Sequence, residues 1–386
     1  MNRHTGLYAS VLPLFLMAAS AWAGAAPDAL TNFAAAKVVI GQKNFKSNQC
    51  KSKSSKHTLC GSEGGPALAG NVLYVPDSGE TRVLGFKKVP TKNGASAKFV
   101  LGQTNFSNEN FGTSSTLFGF PCRVATAGSQ LFMVDFDNSR VLIWNKLPTK
   151  TNTPADVVVG QPNLTSSAAA ATQSGLDRPE NGLFVADGKL LVSDRNNNRI
   201  LIWNSIPTTN GANADVVVGQ PDFTSSGAAT TQTGLHEPEG IWSDGTLLVV
   251  ADAGNNRVLI WNNIPTSNGA PADVVVGQAD FTSDSILVPP TAQSFNFPGD
   301  VASDGTSLFV EDSSNNRILV YSPFPTSNNP AASIVLGQAD FTHNARNAGN
   351  ASSSAQTLDF PFGMSIIGTQ LFVNDFDNNR FLIFNM

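Results

Sequence analysis

The stretch PEGIWSDGTLLVVADAGNNRVLIWNNIPTSNGAPADVVVGQ, residues 238–278, decides the fold. Gly240-Ile241-Trp242 leads to an Asp244-Gly245 turn, and residues 247–251 form an apolar run. A polar turn at 252–256 follows, then residues 257–261, Ile264-Pro265, and a last apolar segment over 273–277. These are four short strands, a to d from first to last. The second and third are apolar at consecutive positions, the mark of strands covered on both faces. A lone sheet cannot cover both faces, but a blade packed between two neighbouring blades does.

The same phrases recur along the chain. The run Val38-Val39-Ile40-Gly41-Gln42 returns as Gly-Gln pairs at 102–103, 160–161, 219–220, 277–278 and 337–338, with glycine spacings of 61, 58, 59, 58 and 60. A period near 59 suits one four-stranded propeller blade. An Asp-x-x-Asn-x-Arg phrase keeps the same phase. It pairs Asp77 with Arg82 (Glu80 standing in the Asn place), Asp135 with Arg140, Asp194 with Arg199, Asp252 with Arg257, Asp312 with Arg317 and Asp375 with Arg380. Aspartate before a tight turn accepts backbone N–H bonds, and an arginine on the next strand can return to it. Recurrence at every blade makes these twelve residues structural.

The ends set the count. An orphan outer strand over 37–42 precedes the first complete a-b-c set, and the chain stops after a sixth. The expected architecture is all-β: a six-bladed β-propeller of four-stranded antiparallel blades, closed by residues 37–42 joining the C-terminal blade. Such closure removes exposed sheet edges.

Composition agrees. Of 386 residues, 41% are hydrophobic and only 14% charged, which gives a sizeable core and many polar turns. Arg3, an apolar stretch over 7–17 and Ala21-Trp22-Ala23 read as an export signal over 1–23. A short linker follows over 24–36, then a single propeller over 37–386. The expected location is the periplasm or the exterior, with no membrane span. Loss of 1–23 leaves 23 bases against 29 acids, a mildly acidic chain that argues against nucleic-acid partners. Three cysteines remain. In an oxidising compartment Cys50 and Cys60 are the preferred disulfide, with Cys60–Cys122 as the alternative.

Pro238-Glu239-Gly240-Ile241, Leu247-Leu248-Val249-Val250-Ala251-Asp252 and Asn255-Asn256-Arg257-Val258 resemble NHL repeats, over nearly all of 37–386. The WD-repeat dipeptides are absent. Among NHL-type propellers the resemblance extends in fold to the peptidyl-amidating lyases. It implies zinc-binding histidines just after the strand-a proline and a calcium-binding aspartate one position later. Here the first position reads Gly64, Cys122, Glu180, Glu239, Gly299 and Phe362, with no histidine. The second reads Gly65, Arg123, Asn181, Gly240, Asp300 and Gly363, so Asp300 matches the calcium place.

Those two columns vary while the scaffold repeats, which makes Cys122, Arg123, Glu180, Asn181, Glu239 and Asp300 candidates for a site at the channel mouth. Glu180, Glu239 and Asp300 are candidate ligands for Ca²⁺, a hard cation that takes carboxylate and carbonyl oxygens. Hydrogen bonding within the scaffold is the alternative role. Phe136 and Phe376, in Asp-Phe-Asp-Asn turns, are candidate stacking or anchoring rings, or else packing against connectors. His57, His236 and His343 all fall in d-to-a connectors, where they form a zinc set only if three loops converge. No Gly-x-Ser-x-Gly, His-Glu-x-x-His or phosphate-cradling loop is present. The expected function is a monomeric binding or scaffold module for a protein, peptide or glycan. The alternative is a calcium- or zinc-dependent lyase or lactonase-like hydrolase.

Overall fold

The computed structural model describes residues 30–50 and 53–386, so the export signal and most of the linker lie outside the described residues. It contains six antiparallel sheets of four strands each, a six-bladed β-propeller with short 3-10 turns as its other regular structure. Blade 4 is Pro238–Ser243, Leu248–Asp252, Arg257–Trp261 and Val274–Val276, in spatial order a-b-c-d. Strands b and c are buried along their whole length, as their unbroken apolar runs require.

Ring closure follows the sequence reading. Blade 6 holds Pro361–Ile367, Gln370–Asp375 and Arg380–Asn385, and its outer strand is Val38–Ile40 from the other end of the chain. Val38 pairs with Ile383, Val39 with Leu382 and Ile40 with Phe381. The hydrophobic core is correspondingly divided among the blade junctions. One cluster packs Phe132 and Val134 of blade 2 on Leu183 and Val192 of blade 3, and another packs Val38 and Ile383 of blade 6 on Leu73 and Leu84 of blade 1.

The recurrent Asp and Arg are wholly buried pairs in all six blades, at 2.7–2.8 Å. In blade 4, Asp252 accepts the His236 backbone N–H at 2.7 Å and the Arg257 Nε–H at 2.7 Å. Arg257 then donates to the carbonyls of Thr231, Gly234 and Phe281. One guanidinium thereby satisfies connector carbonyls on both sides of the blade, as buried polar groups require. The Gly-Gln landmark has a matching cause. Gly277 has φ +88°, a left-handed value that favours glycine, and Gln278 Nε2 donates to the Asn256 carbonyl at the end of the Asp turn.

These turns and the d-to-a connectors share one face, here the connector face. The a-to-b hairpins form the opposite one, the hairpin face.

Candidate functional site

Strand a enters the channel from the connector face, so the residues opening each strand a meet around the axis. Arg123 of blade 2 lies across from Asp300 of blade 5, with Nη1 2.5 Å from Oδ2. The same nitrogen donates to the Met364 carbonyl of blade 6 at 3.0 Å and to Asn181 Oδ1 of blade 3 at 3.4 Å. Asp300 also accepts the backbone N–H groups of Met364 and Val301, and Asn181 Nδ2 donates to the Gly299 carbonyl at 2.8 Å. Small residues make room for this knot: a Cβ on Gly65 would meet Arg123 Nη1 at 2.7 Å. Four blades are tied together at the axis by one guanidinium.

A second polar cluster lies beside it. Arg195, on the Asp turn of blade 3, holds Glu239 at 2.6 Å, Glu237 at 2.8 Å and Glu180 at 2.9 Å. Glu239 also accepts the Asn181 N–H at 3.4 Å. The Cys122 thiol, fully buried, points to Glu63 at 3.5 Å. Burial, then repulsion from Glu180, pushes the Glu63 and Glu239 carboxyls well above the usual glutamate range. Burial raises Glu180 as well. Burial and the nearby Glu63 and Glu180 carboxylates push the Cys122 thiol up, so it is a poor nucleophile.

The three candidate calcium ligands are therefore divided. Asp300 is engaged by Arg123 and two backbone N–H groups, whereas Glu180 and Glu239 are engaged by Arg195. Among the described residues the one acidic or thiol trio within metal-ligand reach is Cys50, Cys60 and Glu80, and Cys50 and Cys60 form a disulfide. As arranged, Glu180, Glu239 and Asp300 do not fit one shared cation. Glu180 is also out of column. Leu183 pairs with Val192, two residues before Asp194, just as Ile241 pairs with Val250, two before Asp252. Blade 3 thus carries one extra residue after Pro179, which puts Asn181 in the Glu239 place and Glu180 in the Pro238 place.

The histidines stay apart. His57 Nδ1 contacts the Gly94 carbonyl at 3.1 Å, His343 Nδ1 lies 2.7 Å from Asp340, and His236 packs near Gly254. Phe136 and Phe376 fold onto their connectors. Phe136 meets Phe120 edge-on at 6.1 Å under the Arg178 guanidinium, and Phe376 meets Phe360 at 6.2 Å.

Phe360 belongs to an aromatic row. It stacks on Phe362 at 5.8 Å, and Phe362 stacks on Phe297 at 6.3 Å. Phe297 and Phe360 line a cavity of about 480 Å³ with His236, Glu237 and Ile286. Ile286, Leu287 and Val288 continue from it as an exposed apolar run, at 51%, 46% and 86% exposure. On the hairpin side of Arg123 the channel holds a second cavity of about 380 Å³, lined by Leu68, Thr126, Phe184 and Trp242 among others.

Arg195, Glu311 and Asn374 were not among the candidates above. Glu311 accepts the Gly363 N–H, and Asn374 donates to the Ser62 carbonyl at 2.6 Å, each bridging to the next blade. The column before the repeated aspartate reads Pro76, Val134, Ser193, Ala251, Glu311 and Asn374. The column after it reads Ser78, Phe136, Arg195, Ala253, Ser313 and Phe376. Comparison of the blades in those two columns exposes all three residues.

No protein-family model matches this chain, and no curated protein matches it. Among solved structures it is similar to the computationally designed Ika8 protein, at 8% identity over 92% of this chain and 100% of that one, with TM-score 0.40. It is also similar to a chain of a nidogen/laminin complex, at 15% identity over 71% of this chain and 83% of that one, with TM-score 0.39. These likenesses are loose, and the six-bladed architecture rests on the strand pairing described above.

Proposed function

We propose that this chain is a secreted, NHL-type propeller that binds a protein partner through its connector face. The observation that carries this reading is the exposed Ile286-Leu287-Val288 run beside the Phe297–Phe362–Phe360 row. A contiguous apolar patch next to an aromatic-lined pocket is the surface a protein anchor fills. The Cys50–Cys60 disulfide supports an oxidising location, together with the export signal read in the sequence. A metal-dependent lyase or hydrolase built on the candidate ligands would bring Glu180, Glu239 and Asp300 around one ion. Arg123 and Arg195 hold them instead, which favours binding over catalysis.

The test is cross-linking capture from the producing cells with wild type, an Ile286→Asp/Val288→Asp variant, and a Phe184→Ala/Trp242→Ala control on the hairpin side. The reading expects a protein recovered with wild type and control and lost with the connector-face variant. A partner lost only with the control, or kept by all three, contradicts it.

A further inference from the structure

Charge is segregated around the ring. Among the described residues, the sector spanning 37–98 exposes nine lysines and no acid, since Glu63, Asp77 and Glu80 are all buried or half-buried. Blades 3 to 5, residues 187–340, expose nine aspartates and no base. Blade 1 lies across the ring from blade 4, so the basic edge and the centre of the acidic arc are at opposite ends of one diameter.

The scaffold does not demand this. The residue that opens each outer strand makes the same backbone bond in every blade, an N–H donated to a carbonyl of strand c. That residue is Lys37 in blade 6 and Lys98 in blade 1, but Asp156, Asp215 and Asp273 in blades 2, 3 and 4. The aspartates also accept the backbone N–H of Asn145, Asn204 and Asn262, but Ser333 fills that role without charge in blade 5 and lysine stands there in blades 6 and 1, so the fold itself requires neither sign of charge at this position.

We propose that the basic outer edge of blade 1 docks on the acidic edge of blades 3 to 5 of a second copy of this chain. The two patches carry nine exposed lysines and nine exposed aspartates, opposite in sign, and every copy carries both. Because they lie on different parts of the surface, the contact is head-to-tail and does not close on two subunits. Contacts of this kind act within the screening length and weaken as salt rises.

The experiment is sedimentation velocity on the purified mature chain at about 20 mM and about 300 mM NaCl, where the screening length shrinks several-fold. The proposal expects the weight-average mass to rise with concentration at low salt to about twice the monomer or more, and to return to monomer at high salt. Lys87→Glu/Lys88→Glu/Lys92→Glu should abolish the rise, and so should Asp215→Lys/Asp273→Lys. An equimolar mixture of the two variants should restore it, because each then offers the charge the other lacks. The substituted residues are exposed, and either variant alone carries the test should the other not fold. A wild-type monomer at low salt overturns the proposal, as does association indifferent to salt and to both variants. A monomer that binds heparin through the same lysines also overturns it, and assigns the edge to a foreign polyanion.

Discussion

Arg123 on blade 2 and Asp300 on blade 5 meet across the propeller axis, Nη1 to Oδ2 at 2.5 Å, with both side chains buried. Each also carries bonds to blade 6, so the pair acts as a cross-brace on the ring. Removing one member leaves an uncompensated buried charge, a loss of about 3–5 kcal/mol. Arg123→Met should therefore lower the urea midpoint sharply, and Arg123→Met/Asp300→Asn should recover part of the loss. Two single variants and a double that simply add would show that the residues are not coupled.

The ring is closed by three buried residues, Val38, Val39 and Ile40. Each apolar side chain returned to water costs about 1.5–3 kcal/mol, so a chain beginning after Gln42 should lose roughly 5 kcal/mol or more. It should also aggregate, because strand Arg380–Asn385 becomes a bare edge. An unchanged melting temperature would contradict closure by this strand.

The buried Asp–Arg clamps predict a uniform response. Arg257→Met takes the buried Asp252 carboxyl's partner away and strands the Thr231, Gly234 and Phe281 carbonyls. A loss of about 3–5 kcal/mol is expected, with a similar loss for Arg199→Met one blade earlier. A clamp that could be removed without effect on thermal unfolding would instead be free for some other role.

Glu63 titrates above the ordinary glutamate range because burial, and then the Glu180 carboxylate, disfavours its charged form. Its contribution is fully present below the unfolded-chain value and is lost as pH rises through the folded-state value. Each group still protonated in the fold but ionised in the unfolded chain lowers stability by about 1.4 kcal/mol per pH unit. Denaturation midpoints should fall as pH rises above the ordinary glutamate range, and Glu63→Gln should fall less steeply. Parallel curves for the two proteins would contradict the assignment.

The fold was legible because its causes are periodic. Strands buried on both faces have consecutive apolar residues, and each clamp repeats the same Asp and Arg, so both register in one chain without outside comparison. The site was legible only in part. Asp300 and Arg123 stood out as departures from the repeat, but nothing local in the sequence pairs residues 177 positions apart across an axis. Pro179 before Glu180 looks in sequence like the register mark that Pro238 is before Glu239, which places Glu180 in the Glu239 column. The extra residue in blade 3 shows itself only in strand pairing. Arg195, which decides what Glu180 and Glu239 do, lies on a turn whose neighbouring copies carry phenylalanine, alanine and serine.

That pairing of carboxylates with arginines, in place of a cation, is the claim on which the binding reading stands. Metal content of the purified mature protein, measured alongside its melting temperature with and without a chelator, tests it most directly. The account predicts no stoichiometric calcium or zinc and the same melt in both conditions. One tightly held ion per chain, with a melt that falls on chelation and an ion lost on Glu239→Gln or Asp300→Asn, would contradict it and return the channel mouth to metal chemistry.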